Sequence, residues 1–333
     1  TVVGNYSFQY TISSPGCPEE VANLDIEIFE EPSLAVIAGG NQDVCQTELP
    51  YAISGSTPQA GETVSWRSIP ALSDGTATFS PSNSENTEIT NFSVVSGSST
   101  YAIEYTISTG TALCDSRDTV FLTVWEEPTV ASTDADYETC AATTLNLDAN
   151  APVVGTGGWA RISGPNSPNI ADPSSPNTTI STTVPGTYVY RWTISNGPAC
   201  TVSSDEQTII NFESLGRSGD NALTVCDGAE PTLSADATGG NGNFSYQWQV
   251  ADTDCSGAWS DIGGATSATY TTPVLDAVTG SYFYRVIISD DGPCAAFTSN
   301  CIEVTVVEDP TVDAISGDED ICSGGTANFT VTA

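Results

Sequence analysis

The sequence contains no histidine, no lysine and no methionine in 333 residues. Each absence removes a class of function. Without imidazole there is no Ser-His-Asp or Cys-His nucleophile and no histidine-ligated zinc, so any enzyme here would have to work with carboxylates alone. Without lysine there is no Lys–Asn isopeptide bond of the kind that stiffens some pilins. The six basic residues are arginines scattered singly against 42 Asp and Glu, for a formal charge of −36. Phosphate recognition runs on clustered Lys and Arg, so nucleic acid is excluded as a partner, and an anionic membrane surface would repel the chain. No run approaches the ~18 apolar residues of a transmembrane helix, and the first residues lack the charged head and apolar core of a signal peptide. The sequence reads as a piece of a longer or processed chain. Charged residues make up only 14%, against a usual ~25%, while Thr, Ser, Gly, Asn and Pro are plentiful. Aromatic and β-branched residues recur in alternation, which argues for a β-rich extracellular chain and against disorder.

One strand occurs four times: Tyr6 to Ser13, Tyr101 to Ser108, Tyr188 to Ser195 and Tyr282 to Ser289, starting 95, 87 and 94 residues apart. This is a tandem array of modules about 90 residues long. Within each copy the period is two; Tyr101, Ile103, Tyr105 and Ile107 face one way while Glu104 faces the other, the mark of a half-buried strand. A turn holding Cys17, Cys114, Cys200 or Cys294 follows, then a second strand. Three of these second strands end in an acidic pair and proline, Glu30-Glu31-Pro32, Glu126-Glu127-Pro128 and Glu308-Asp309-Pro310. Proline cannot donate to a ladder, so these mark junctions. Spacing requires a fourth junction at 213–219, which has glycine in place of proline and is expected to be a looser hinge. The predicted organisation is residues 1–32 as the last strands of a truncated module, complete modules at 33–128, 129–216 and 217–310, and residues 311–333 as the first strands of another. Turn residues every 8 to 12 positions and the lack of helical periodicity predict an all-β, end-to-end array of immunoglobulin-like sandwiches.

Each junction is followed by a cysteine, Cys45, Cys140, Cys226 or Cys322, and in complete modules by Trp66, Trp159 or Trp248 some 19 to 22 residues later. Ten cysteines with no histidine and no C-x-x-C pair predict disulfides in an oxidising compartment. The simplest pairing is within modules: Cys45 with Cys114, Cys140 with Cys200, Cys226 with Cys294, and Cys255 with Cys301, leaving Cys17 and Cys322 for partners outside the sequence. Each long loop so closed would stabilise its module by roughly 4 kcal/mol. Neither cysteine of a pair looks like a core residue. The rival pairing staples neighbours, Cys45 with Cys200 and Cys140 with Cys294, because the two turns concerned lie at opposite poles of a sandwich.

Gly158 to Pro165, Asp172 to Ile180 and Pro185 to Pro198 resemble the PKD-like repeats of giant surface proteins of the Bacteroidota. Tyr246 to Gln249, Trp259 to Thr266 and Tyr282 to Arg285 resemble the immunoglobulin-like repeats of the same proteins. The resemblance covers nearly the whole chain. It implies export by type IX secretion, anchoring at the outer membrane outside this segment, and in some members a role as mobile adhesins of gliding motility.

Paired carboxylates sit at equivalent places in every repeat, which argues against a unique active site such as the two fixed carboxylates of a glycosidase. No catalytic residue and no cofactor is expected. Calcium at the junctions is the alternative, with Asp134, Asp136, Asp318 and Asp320 as candidate ligands, although solvated charge is the simpler reading and no D-x-D-x-D-G loop is present. Trp125 and Trp259 are candidate sugar platforms, against packing roles. The expected function is a non-catalytic spacer or stalk segment of a cell-surface adhesin or filament, whose partners are the neighbouring modules, other fibre subunits or surface glycans. The alternatives are an immunoglobulin-like module that binds glycan or protein directly, and an accessory region of a secreted hydrolase.

Overall fold

A computed structural model describes residues 2–110, 114–219, 221–311, 314–317, 320, 323–326 and 328–332. The chain opens with a hairpin of β1 (Gly4–Ile12) and β2 (Glu20–Ile28). Next come β3 (Gln42–Cys45), β4 (Tyr51–Ser54), β5 (Thr63–Ser68), β6 (Thr78–Ser80), β7 (Asn86–Asn91), β8 (Ser98–Ser108) and β9 (Asp115–Trp125). The second set is β10 (Tyr137–Cys140), β11 (Thr144–Leu147), β12 (Thr156–Ser163), β13 (Asn169–Ile170), β14 (Thr178–Ser181), β15 (Gly186–Ser195) and β16 (Ser203–Phe212). The third is β17 (Gly216–Ser218), β18 (Ala222–Cys226), β19 (Thr232–Ser234), β20 (Asp236–Thr238), β21 (Ser245–Ala251), β22 (Trp259–Asp261), β23 (Thr269–Thr271), β24 (Ser281–Ser289), β25 (Phe297–Thr298) and β26 (Ile302–Val307). A last hairpin pairs β27 (Ala314–Gly317) with β28 (Phe329–Thr332).

The first two modules share one topology and the third is a variant of it. A sheet ordered β3-β9-β8-β5 faces β4-β7-β6, and β10-β16-β15-β12 faces β11-β14-β13. In the third copy β18-β26-β24-β21-β22 faces β19-β23. Each time the first strand lies parallel beside the last, with its cysteine in the same register: Cys45 opposite Trp125, Cys140 opposite Phe212, Cys226 opposite Val307. A parallel first-to-last pairing on one sheet, with antiparallel neighbours elsewhere, defines an immunoglobulin-like sandwich. The array is therefore all-β with tandem modules, as the alternation predicts.

Three separate cores follow from that alternation. Trp66, Trp159 and Trp248 stand at the centre of each, almost wholly buried, and each indole N–H donates to a backbone carbonyl across the sheets: Ser84 at 2.8 Å, Pro176 at 3.1 Å and Ser267 at 3.0 Å. Burying a large aromatic while satisfying its one polar atom is the favourable way to use tryptophan in a core. Tyr101, Tyr188 and Tyr282, which begin the repeated strand, each fold their hydroxyl back on the loop before it. Tyr101 donates to Ser93 O, Tyr188 to Val184 O at 3.0 Å, and Tyr282 to the Asp276 carboxylate at 3.0 Å while accepting from Asp276 N–H. These are tyrosine corners, a second signature of the same sandwich.

Candidate functional site: the stapled junctions

The poles of the modules are where chemistry and topology meet. Strand β9 leaves the first sandwich at Trp125, so Cys45, register-matched to it, marks the exit pole. Cys200 lies in the turn between β15 and β16, which is the entry pole of the second sandwich. The two are joined by a disulfide, with Cα atoms 4.8 Å apart. One module on, Cys140 at the exit pole of the second sandwich is joined to Cys294 in the entry-pole turn of the third, Cα atoms 5.1 Å apart. The staples thus cross the junctions. The expected pairings of Cys45 with Cys114, Cys140 with Cys200 and Cys226 with Cys294 do not form, because the two cysteines of one module lie at its opposite ends. Cys255–Cys301 is the exception; it ties the loop after β21 to the start of β26 within the third module, as expected. Cys17, Cys114 and Cys226 are unpaired, Cys17 and Cys226 exposed and Cys114 half-buried. Cys322 lies outside the described residues.

Around each staple the backbone is close-packed. At the first junction Glu126 N–H donates to Gly97 O at 2.9 Å, and the Asn196 side-chain amide reaches across to both Gly97 O and Glu126 O at 2.7 Å. Gly197, with φ +70°, lies flat on the Trp125 ring; a Cβ there would overlap the indole. The Trp125 indole N–H donates to Asp43 at 2.8 Å. Trp125, expected as a sugar platform or a packing residue, is thereby committed to packing. The bridged Cys200 sulfur lies 3.4 Å from Trp125 O; lacking a proton, it makes a packing contact there and no hydrogen bond.

The second junction uses different residues for the same job. Gly240 N–H donates to Glu213 O at 2.8 Å, and both bridged sulfurs of Cys140 and Cys294 approach that carbonyl. Leu215 is buried, and β17 pairs with β20 directly after it. The proline-free segment 213–219, expected to be a loose hinge, is instead tied down by a strand, a buried leucine and a disulfide. Cys45, Cys200 and Cys294 are nine-tenths buried or more, against the expectation of surface cysteines, because the neighbouring module covers them.

The acidic candidates do not gather. Asp134 and Asp136 are exposed, and Asp136 accepts Thr208 N–H at 2.7 Å to hold β10 beside β16. Asp320 is exposed and Asp318 lies outside the described residues. Among the described residues no three His, Cys, Asp or Glu converge on one point. Trp259 carries the Arg285 guanidinium 4.4 Å over its ring, a cation–π contact on one face. Carboxylates whose pKa departs from the ordinary range move down: the Ser33 hydroxyl and N–H hold Glu62 low, and Thr133 N–H holds Asp205 low. Burial pushes the Tyr284 hydroxyl up to about 12. All six arginines have partners within their own modules, for example Arg67 on Glu104 at 2.5 Å and Arg191 on Glu206 at 2.6 Å. The tyrosine corners were missed from sequence, although the repeated leading tyrosine carried their signal; the pole-to-pole staples are the rival pairing of the sequence analysis, Cys45 with Cys200 and Cys140 with Cys294, and it is these that form.

Residues 216–308, from β17 through β26, match a family described as a domain of unknown function (DUF8696). Among curated proteins, none matches the sequence. Solved structures with a similar arrangement include the I-band fragment I67–I69 from titin, 12% identical with a TM-score of 0.48 over 85% of this chain and all of that one. The three N-terminal domains of the bacteriophage RB49 outer capsid protein Hoc are 12% identical, TM-score 0.40, over 78% of this chain and 94% of that one. Sidekick-1 immunoglobulin domains 1–5 are 13% identical, TM-score 0.35, over 92% and 67%. Likeness at this level says nothing of a shared role, and the fold class rests on the strand order and tyrosine corners above.

Proposed function

We propose that this chain is a non-catalytic spacer segment of a long extracellular fibre or adhesin, of the type IX-secreted, outer-membrane-anchored kind that the repeat resemblance implies, with a place in gliding motility or adhesion. The observation that carries the reading is the repetition of one covalent, pole-to-pole staple at two successive junctions. An isolated binding module has no use for a disulfide to its neighbour, whereas a stalk needs its joints fixed. Three disulfides belong to an oxidising compartment. The net charge of −36 keeps a fibre soluble and blunts side-by-side association. The locally paired arginines leave no cluster for an anionic ligand.

The test is small-angle scattering of the exported chain before and after reduction. The oxidised protein is expected to give one elongated, narrowly distributed particle, and reduction to broaden its pair-distance distribution while circular dichroism holds constant. Modules packed side by side, or an envelope indifferent to reduction, would refute the spacer reading. A glycan array on the same protein separates it from direct sugar binding.

A further inference from the structure

Asparagine followed by glycine is the dipeptide in which a side-chain amide is lost most readily, because a glycine N–H, with no Cβ beside it, can attack the preceding side-chain carbonyl. The chain holds two such pairs, Asn196-Gly197 and Asn241-Gly242. Their surroundings differ. The Asn241 amide donates to the Asp291 carboxylate of its own module, and Gly242 is exposed. Asn196 is half-buried, and its amide instead reaches the first sandwich, donating to Gly97 O and Glu126 O at 2.7 Å each. Gly197 is pinned against the Trp125 ring, and a Cβ on Gly155, just before β12, would come within 3.2 Å of the Asn196 Cβ. Side chain and following N–H therefore have little room to turn towards each other. Four residues on, Cys200 carries the staple to Cys45. The matching turn of the third module reads Ser289-Asp290-Asp291-Gly292-Pro293-Cys294. A carboxylate is accommodated there because donors face it: Asp290 accepts Asn241 N–H at 2.9 Å and Gly292 N–H at 3.1 Å. At the first junction the facing groups are carbonyl oxygens, and only a donor fits.

We propose that Asn196 is a modification site guarded by the first junction. Its amide is retained while the junction is closed; once the junction opens, Asn196 deamidates and the joint no longer recloses. In the reaction the Gly197 nitrogen attacks Asn196 Cγ, a C–N bond forms, the Cγ–Nδ2 bond breaks, and ammonia leaves carrying the proton that the Gly197 nitrogen gives up. Water then opens the resulting succinimide at either carbonyl, leaving aspartate or isoaspartate. No oxidant, reductant or enzyme enters the balance. The carboxylate product has acceptors only. Closing the junction on it would set a negative charge against Gly97 O and Glu126 O and leave both carbonyls without their donor. This chemistry holds whether or not the chain serves as a spacer.

The test incubates the full oxidised chain beside a full-length variant carrying Cys45→Ser and Cys200→Ser, which unlocks the first junction and leaves Cys140–Cys294 in place. Peptide mapping by mass spectrometry follows the loss of each amide at mildly alkaline pH. Asn196 is expected to react at least about tenfold faster in the variant, the lower end of what two made hydrogen bonds hold against opening. Asn241, remote from the removed bridge, should react at the same rate in both proteins. An Asn196 rate that is equal in the two would overturn the proposal. A second variant, Asn196→Asp with all cysteines present, is reduced and then reoxidised in a glutathione buffer. Bridge formation depends on the effective concentration that a closed junction gives the two thiols. Cys45–Cys200 should therefore re-form at least about tenfold more slowly than in the native chain, while Cys140–Cys294 re-forms at its native rate. Native recovery of Cys45–Cys200 in this variant would equally overturn the proposal. The scattering test of the spacer role is independent of both results.

Discussion

Tyr188 and Tyr190 sit two residues apart on β15, both with no exposed surface, and their hydroxyls fare oppositely. The Tyr188 hydroxyl is bonded to Val184 O, Val184 N–H and Asn166; the Tyr190 hydroxyl is buried with no partner. An unmade bond is costly to bury and a made one is costly to remove. Tyr188→Phe is therefore expected to lower stability by about 1–2 kcal/mol and Tyr190→Phe to leave it unchanged or raise it, read by urea denaturation. Equal losses would mean that the corner contributes nothing beyond ring packing. Asp205 gives a residue-scale pH dependence. Its carboxylate accepts Thr133 N–H at 2.8 Å and Thr133 Oγ1 at 3.0 Å, which holds its pKa below the ordinary value. A depressed folded pKa means that the stabilisation is complete above the unfolded pKa of about 4 and is lost as pH falls through the folded value. The stability gap between the native chain and Asp205→Asn should hold from pH 7 to about 5 and close towards pH 3. Comparing the two proteins cancels the relief of negative repulsion that acid brings to both. At this scale the sequence showed the tryptophans by their spacing from cysteine. It hid the hydroxyl partners, because Ser93, Val184 and Asp276 belong to loops of differing length.

At the scale of elements, strands and cores were legible because a period of two is written directly in Tyr101 to Ser108 and its copies. The cysteine pairing was not. Sequence separation alone cannot distinguish Cys45–Cys114 from Cys45–Cys200; the parallel register of β3 against β9 decides it, by carrying Cys45 to the far pole from its own module's turn. Segment 213–219 misled for a related reason. What ties the segment down lies outside it in sequence: Gly239, at φ +74°, leaves no room for a Cβ beside Ser214 O, a close approach that the segment's own Gly216 and Gly219 do not reveal. The Gly197 contact with Trp125 offers a test of what fixes a junction. Gly197→Ala must strain a left-handed residue and displace the ring, for about 1–3 kcal/mol. Dithiothreitol should then reduce Cys45–Cys200 faster in the variant while Cys140–Cys294 keeps its native rate. Unchanged kinetics at both would show that the ring contact does not protect the bridge.

For the whole molecule, the staples alter the route by which the two ends of the chain are connected. A pull from the first residues reaches Cys45 and can cross to Cys200 through sulfur, a shortcut past the 155-residue separation between those cysteines. Cys140–Cys294 bonds a strand of the bypassed stretch to the third module, so a second covalent track reaches Cys294 through the second module. Tension is therefore shared between the backbone after Cys200 and the route through Cys140. In a single-molecule stretching experiment, the fully extended oxidised chain should fall short of the reduced chain by about 500 Å for the Cys45–Cys200 bridge alone, at ~3.3–3.6 Å per residue. A chain laced in this way cannot, when pulled, let the residues between Cys45 and Cys200 extend to their full length, and it releases them only where a reductant reaches the sulfur.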